Sequence, residues 1–281
     1  MLAAPVGEGD LTARLITIMS STSPRRSRLL RGLARNAAVR LGQEQRAREV
    51  VGRLREARGV IDPSARRTLR DDHALRIVLA TALRADGNAI DVGANRGEVL
   101  TQILAVAPEG RHIAYEPIPH LQRQLQATFP SVDVRGRALS DGSGTAEFVH
   151  VIDAPTRSGL RARTDLDHTA RTERISVTVE RLDWALDEAY VPALIKIDVE
   201  GAEVKAIRGA VATLERHRPH VLFEHGVGGA DLYGSSSGEL WDLLDAAGLR
   251  IFDLDGNGPY ARTHFEDQFV APVWNWLAAP R

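Results

Sequence analysis

The sequence contains no cysteine, which excludes disulfides, thiolate zinc sites and a cysteine nucleophile. Lysine is almost absent too: only Lys196 and Lys205 stand among 36 basic residues. No aromatic residue precedes Tyr115. No apolar run approaches the ~20 residues that span a bilayer, and Ile77 to Leu83 is typical of the longest. Leu15 to Met19 is too short for a signal-peptide core. These absences lead to the expectation of a cytoplasmic protein with no membrane span.

What is present suffices for a large core. The chain has 281 residues, of which 43% are hydrophobic, and a chain of that size hides roughly 75% of its unfolded surface. Its formal net charge of −1 conceals an asymmetry. Up to Ala85 there are 17 basic and 8 acidic residues; from Asp86 onward there are 19 and 29. A basic block of this kind can meet an anionic partner. Glu44, Glu49 and Glu56 interrupt it, however, and no aromatic side chain is available there for base stacking. Ordinary solvated helix faces are the simpler reading, and no nucleic-acid partner is expected.

Met1 to Pro24 lacks periodicity, and its expected state is disorder. Residues 25–85 read as a helical, Arg-rich extension. Leu29, Leu33, Leu75, Leu79 and Leu83 mark faces that need a partner, either the following domain or a second subunit in a homodimer. Pro63 breaks the first helix, and a helix over Asp71 to Arg84 would be capped by Asp71 or Asp72. From Asp86 the pattern changes to alternation. Strands are predicted at 89–92, 112–115, 132–135, 194–198, 220–224, 249–254 and 269–271, with helices at 98–107, 119–129, 203–217 and 237–247. Alternation of this length means a doubly wound, mostly parallel α/β sheet. Thr145 to Val151 and Arg174 to Val179 alternate apolar with polar residues, as antiparallel strands do. A small antiparallel β insertion is therefore predicted at about 142–180.

The first strand enters Asp91-Val92-Gly93-Ala94-Asn95-Arg96-Gly97. A dinucleotide loop needs a glycine where Asn95 stands, so that backbone can approach a pyrophosphate. Asp91 at the strand end would repel that pyrophosphate. S-adenosyl-L-methionine (SAM) has no phosphate, and its ammonium and sulfonium favour a nearby carboxylate. Glu116 ends the second strand, where an acid can accept both ribose hydroxyls. A nicotinamide dehydrogenase is the rival reading of this loop.

Four motifs carry a more specific resemblance. Asp91-Val92-Gly93-Ala94-Asn95-Arg96-Gly97, Tyr115-Glu116-Pro117, Ala138-Leu139-Ser140-Asp141 and Lys196-Ile197-Asp198-Val199-Glu200-Gly201-Ala202-Glu203 resemble, in order and spacing, the FkbM family of SAM-dependent methyltransferases. Leu182-Asp183 and Asn275-Trp276-Leu277-Ala278 are similar to weaker signatures of that family. The resemblance implies a seven-stranded sheet with an antiparallel last strand. It also implies O-methylation of a sugar, glycosylated metabolite or polyketide, with S-adenosyl-L-homocysteine as product. It places Asp91, Gly93, Asn95 and Gly97 around the methionine end of SAM, Glu116 at the ribose, and Ala138 and Leu139 beside the adenine.

Ligands of an open parallel sheet sit at the carboxyl ends of its strands. There the fourth strand delivers Asp198, with Glu200 just beyond, and the fifth delivers Glu224 and His225. His225 has a suitable ordinary pKa for taking the acceptor's proton. Asp198 would place the acceptor or the SAM amine, and Glu224 would assist. Lys196 shares a strand face with Asp198 and could pair with a carboxylate. Glu203 most simply starts the next helix and favours its dipole. The same acids with His225 could hold Mg²⁺ or Ca²⁺, but a metal is not the favoured reading. The acceptor, a small molecule or glycan, would be lined by Asp153 to Thr172, the N-terminal helices and Gly226 to Gly238, with Arg157, Arg161, Arg163 and Tyr233.

Overall fold

The computed structural model describes residues 63–161, 170–270 and 273–281. The expectations for residues 1–62, and for Arg163, lie outside the described residues. The chain divides into two units, Met1–Arg70 and Asp71–Arg281. Among the described residues no helix is long and apolar enough to cross a membrane.

Helix α1 is Pro63–Ala82. Pro63 opens this helix, since the first helical position has no N–H to lose; the helix predicted to end there lies outside the described residues. Asp71 and Asp72 are therefore inside the helix and do not cap it. The Asp71 carboxylate instead accepts a hydrogen bond from Asn275 Nδ2 at 3.0 Å.

The larger unit is built on a seven-stranded sheet. Its strands are β1 (Asn88–Val92), β2 (Ile113–Tyr115), β3 (Asp133–Arg135), β7 (Pro192–Ile197), β8 (His220–Glu224), β9 (Leu249–Asp253) and β10 (Asn275–Pro280), in the spatial order β3-β2-β1-β7-β8-β10-β9. All neighbours are parallel except β10, which runs antiparallel to both β8 and β9. The order reverses between β1 and β7, and this switch point opens a crevice at the strands' carboxyl ends. The last strand is β10, not 269–271: Gln268–Val270 forms a 3₁₀ turn. Asn275–Pro280 wins the sheet position because Trp276, fully buried, inserts between Phe265 and Tyr260 with both rings edge-on.

Between β3 and β7 lies a second sheet of β4 (Arg137–Leu139), β5 (Gly144–Val151) and β6 (Thr172–Glu180), ordered β4-β6-β5. The β5–β6 pair is antiparallel as predicted. The additional strand, β4, pairs parallel to β6. Helices α2 (Glu98–Val106), α3 (Pro119–Thr128), the short α4 (Leu182–Ala185), α5 (Glu203–Arg208), α6 (Val211–His217), α7 (Ser237–Ala246) and α8 (Arg262–Asp267) are the other described α-helices. The helix predicted over 203–217 is thus two, interrupted at Gly209-Ala210.

Apolar side chains cover both faces of the sheet, as buried parallel strands require. Ile90, Ile195, Val221 and Trp276 belong to one cluster with Leu240 and Leu244 of α7. Ala89, Leu194 and Leu222 belong to another, with Leu79 of α1, Leu83 and Ile103 of α2. Helix α7 starts at Ser236, whose Oγ accepts a bond from Glu239 N at 3.1 Å. Ser236→Ala should cost about 1 kcal/mol of stability, the usual value of an N-cap. Chemical denaturation of the variant, showing a lower midpoint at unchanged slope, is the check.

Candidate functional site

A cavity of about 210 Å³ opens at the switch point. Its floor is the loop after β1 and the end of β7, its side is the end of β2, and its wall comes from the small sheet. Gly93, Asn95, Glu116, Ala138, Leu139 and Asp198 all line it. Asp91, Gly97, Glu224 and His225 are not among the lining residues.

The loop is shaped by backbone requirements. Gly93 has φ 76°, and any side chain there would strike the Asp198 carbonyl. Its missing side chain thus lets the ends of β1 and β7 meet. A side chain at Gly97 would enter the ring of Phe129, so that glycine seats α2 against α3. Asn95 also takes a left-handed conformation, φ 49°, which asparagine tolerates better than most residues.

Glu116 is 4% exposed. Its two oxygens accept from Asn95 N at 2.7 Å and Ile118 N at 2.9 Å. Burial dominates and pushes its carboxyl up to about 7, against the pull of those two N–H groups. Each oxygen keeps a lone pair for a further donor. The Asn95 side-chain oxygen is buried without any partner.

Lys196 joins the two halves of the floor. It is the register partner of Asp91 across the β1–β7 pair. Its Nζ stands 3.2 Å from Asp91 Oδ1 and 3.4 Å from Asp198 Oδ2. The same ammonium donates to the Gly93 carbonyl at 2.8 Å. Burial opposes its charge, but the flanking carboxylates more than offset this and raise its pKa. Asp91 is 0% exposed and meets the floor through its ion pair with Lys196.

Glu224 belongs to an acidic group. Burial first, then the charges of Asp198, Glu200 and Glu203, hold its carboxyl well above the ordinary range, only partly relieved by Lys196. His225 was expected to face the acceptor. Its ring instead packs beside Phe265 and Phe269, with Nε2 2.9 Å from Ser237 Oγ. Burial lowers its pKa to about 4. Among the described residues no group of three or more His, Asp or Glu side chains is arranged to hold a metal ion.

The wall holds residues that sequence reading named only as a segment or not at all. Pro155, Thr156, Ser158 and Leu160 come from the connection between β5 and β6, and Phe148 from β5 itself. Arg161 and Tyr233, both named from the sequence, are not among the lining residues; Tyr233, 9% exposed, carries the Arg161 guanidinium over its ring at 5.5 Å. Phe148 is legible in sequence only as one apolar position of an alternating strand. Which cavity it would face depends on the sheet's placement.

The sequence matches the methyltransferase FkbM domain over residues 91–251, more than half of the chain. A curated relative is the AMB antimetabolite synthetase AmbE of Pseudomonas aeruginosa, 28% identical over 207 residues. That match takes in 60% of this chain and 10% of AmbE. Among solved structures, the methyltransferase FkbM of Methylobacillus flagellatus is similar at 19% identity and a TM-score of 0.40, over 70% of this chain and 44% of that one. The sugar N-methyltransferase KedS8 of Streptoalloteichus is similar at 11% identity and a TM-score of 0.41, over 74% and 85%. The chain thus spans a tenth of its curated relative and under half of the first of these structures. On the domain match, the chain belongs to the FkbM methyltransferase family.

Proposed function

We propose that this chain transfers a methyl group from SAM to a hydroxyl oxygen of a sugar, glycosylated metabolite or polyketide. Glu116 carries the reading. A buried carboxylate with no cation of its own costs stability, and hydroxyl donors such as those of a ribose would repay it. The rest of the cavity suits the same molecule. Ala138, Leu139, Ile118 and Phe148 offer an apolar slot for an adenine, while the unpartnered Asn95 oxygen and Asp198 offer acceptors to an ammonium. The antimetabolite synthetase among the relatives supports an acceptor from secondary metabolism.

The bound cofactor would supply an electrophilic methyl group on a sulfonium. What remains for the chain is to hold the acceptor in line and to take its proton. Asp198, fixed by Lys196 at 3.4 Å, orients the acceptor hydroxyl. Glu224 takes the proton, directly or through a water, because its raised pKa makes it a stronger base than an ordinary carboxylate. His225 is set aside for this role: its ring is enclosed by aromatic groups, and a pKa near 4 makes it a weak base. It serves by holding the end of β8 against α7 through Ser237.

Calorimetric titration with SAM, S-adenosyl-L-homocysteine and NAD tests the cofactor. Binding of the first two and not the third is expected. Retention of NAD alone would restore the dehydrogenase reading. Incubation with methyl-labelled SAM and a panel of hydroxyl and amine acceptors then tests the atom methylated.

A further inference from the structure

We propose that Glu203 is a positioning residue that sets the turn carrying Asp198, Val199 and Glu200, and thereby locks the cavity floor to the loop after β8. The inference rests on the SAM reading only for its affinity readout.

Glu203 is a carboxylate at 1% exposure, a placement that helix initiation alone does not explain. Its Oε1 accepts from two backbone donors of the preceding turn, Val199 N at 3.0 Å and Gly201 N at 3.1 Å. Between those donors sits Glu200, whose φ of 56° is left-handed. A non-glycine residue holds that conformation only where its surroundings over-determine it. The two hydrogen bonds accepted by a single oxygen supply that constraint. Next comes Gly201, φ 106°, where a side chain would strike the Gly229 carbonyl. The turn is therefore keyed into the loop that follows β8. Asp198, Val199, Glu200 and Ala202 all line the cavity. Glu203 thus ties the parts of the site carried by β7 and β8 together while touching neither cofactor nor acceptor.

The test uses the full chain with Glu203→Ala, Glu203→Gln and Glu203→Asp. Glutamine keeps a carbonyl oxygen at the same reach; aspartate keeps the charge but is one methylene too short. In ligand-free protein, amide hydrogen exchange at Val199 and Gly201 should quicken about tenfold or more in the Ala and Asp variants, as an unmade buried bond implies. It should stay near wild type in Glu203→Gln. SAM affinity should fall by about tenfold in the Ala and Asp variants and be kept by Gln, following the same lost bonds. Unchanged exchange in Glu203→Asp overturns the proposal, as does a Gln variant that exchanges as fast as Asp. If Glu203→Ala does not fold, the Asp and Gln pair decides alone. If wild-type protein binds no SAM, the cofactor reading fails, while the exchange result still judges Glu203.

Discussion

Glu116→Ala is expected to weaken SAM binding by about 10- to 150-fold, the loss of hydrogen bonds to a charged acceptor, with the fold kept. Both Glu116 oxygens already serve the loop, through Asn95 N and Ile118 N, so Glu116→Gln is the gentler companion variant. The pH dependence follows from burial, which places the carboxyl at about 7. Hydroxyl donors favour the ionised form. Affinity should therefore be full above pH 7 and fall by about tenfold per unit below it, because a proton must leave on binding. In Glu116→Gln that slope should vanish. Stability of the ligand-free protein runs the other way. A carboxyl raised from 4.5 to about 7 costs folding free energy once it ionises, so the fold loses stability as pH climbs across that window. Titration calorimetry from pH 6 to 8 reads the first effect, and melting curves read the second. A dissociation constant for Glu116→Ala equal to that of wild type would falsify the ribose assignment.

Glu224→Gln should lower turnover by about 10²- to 10⁴-fold, the usual contribution of a general base, with SAM affinity nearly unchanged. Glutamine keeps the shape and removes the proton acceptor. Since burial and the neighbouring acids raise the Glu224 pKa, turnover should rise with pH as that carboxyl ionises. His225→Ala should leave turnover within a few-fold and lower the melting temperature, because the ring packs beside Phe265 and Phe269. The opposite pattern, with His225→Ala slow and Glu224→Gln unaffected, would return the base to His225. Asp198→Asn should act between these, because it also removes one of the two carboxylates held by Lys196. EDTA should leave all these rates unaltered; abolition by EDTA with restoration by Mg²⁺ would demand a metal.

The sequence by itself determined the class of the large unit, a doubly wound and mostly parallel sheet with a small antiparallel insertion. Alternating apolar runs of strand length and helices of ten or so residues admit few other arrangements, because a right-handed crossover between parallel strands is nearly obligatory. It pointed to the proposed cofactor class through local features. The acid after β1, the asparagine where a dinucleotide loop has glycine, and Glu116 at the end of β2 are each readable within a few residues. The antiparallel pairing of β5 with β6 was legible from period-two alternation.

Tertiary structure alone decided the rest. The sheet has two apolar candidates for its last strand within a dozen residues, and local pattern does not choose between 269–271 and Asn275–Pro280. Burial of Trp276 against Phe265 and Tyr260 does. Strand β4 follows β3 after Gly136 alone, so local pattern does not separate the two; its pairing with β6 exists only through contact across a long sequence separation. His225 and Glu224 are adjacent in sequence, and a strand points neighbours to opposite faces. Which of the two meets the acids of β7 is set by the sheet's orientation, which puts Glu224 with Asp198 and seals His225 behind α7 and α8. Glu203 makes the same point. Its chemistry is that of any helix-starting acid, and its place beneath a left-handed turn comes from the way that turn must fit Gly229.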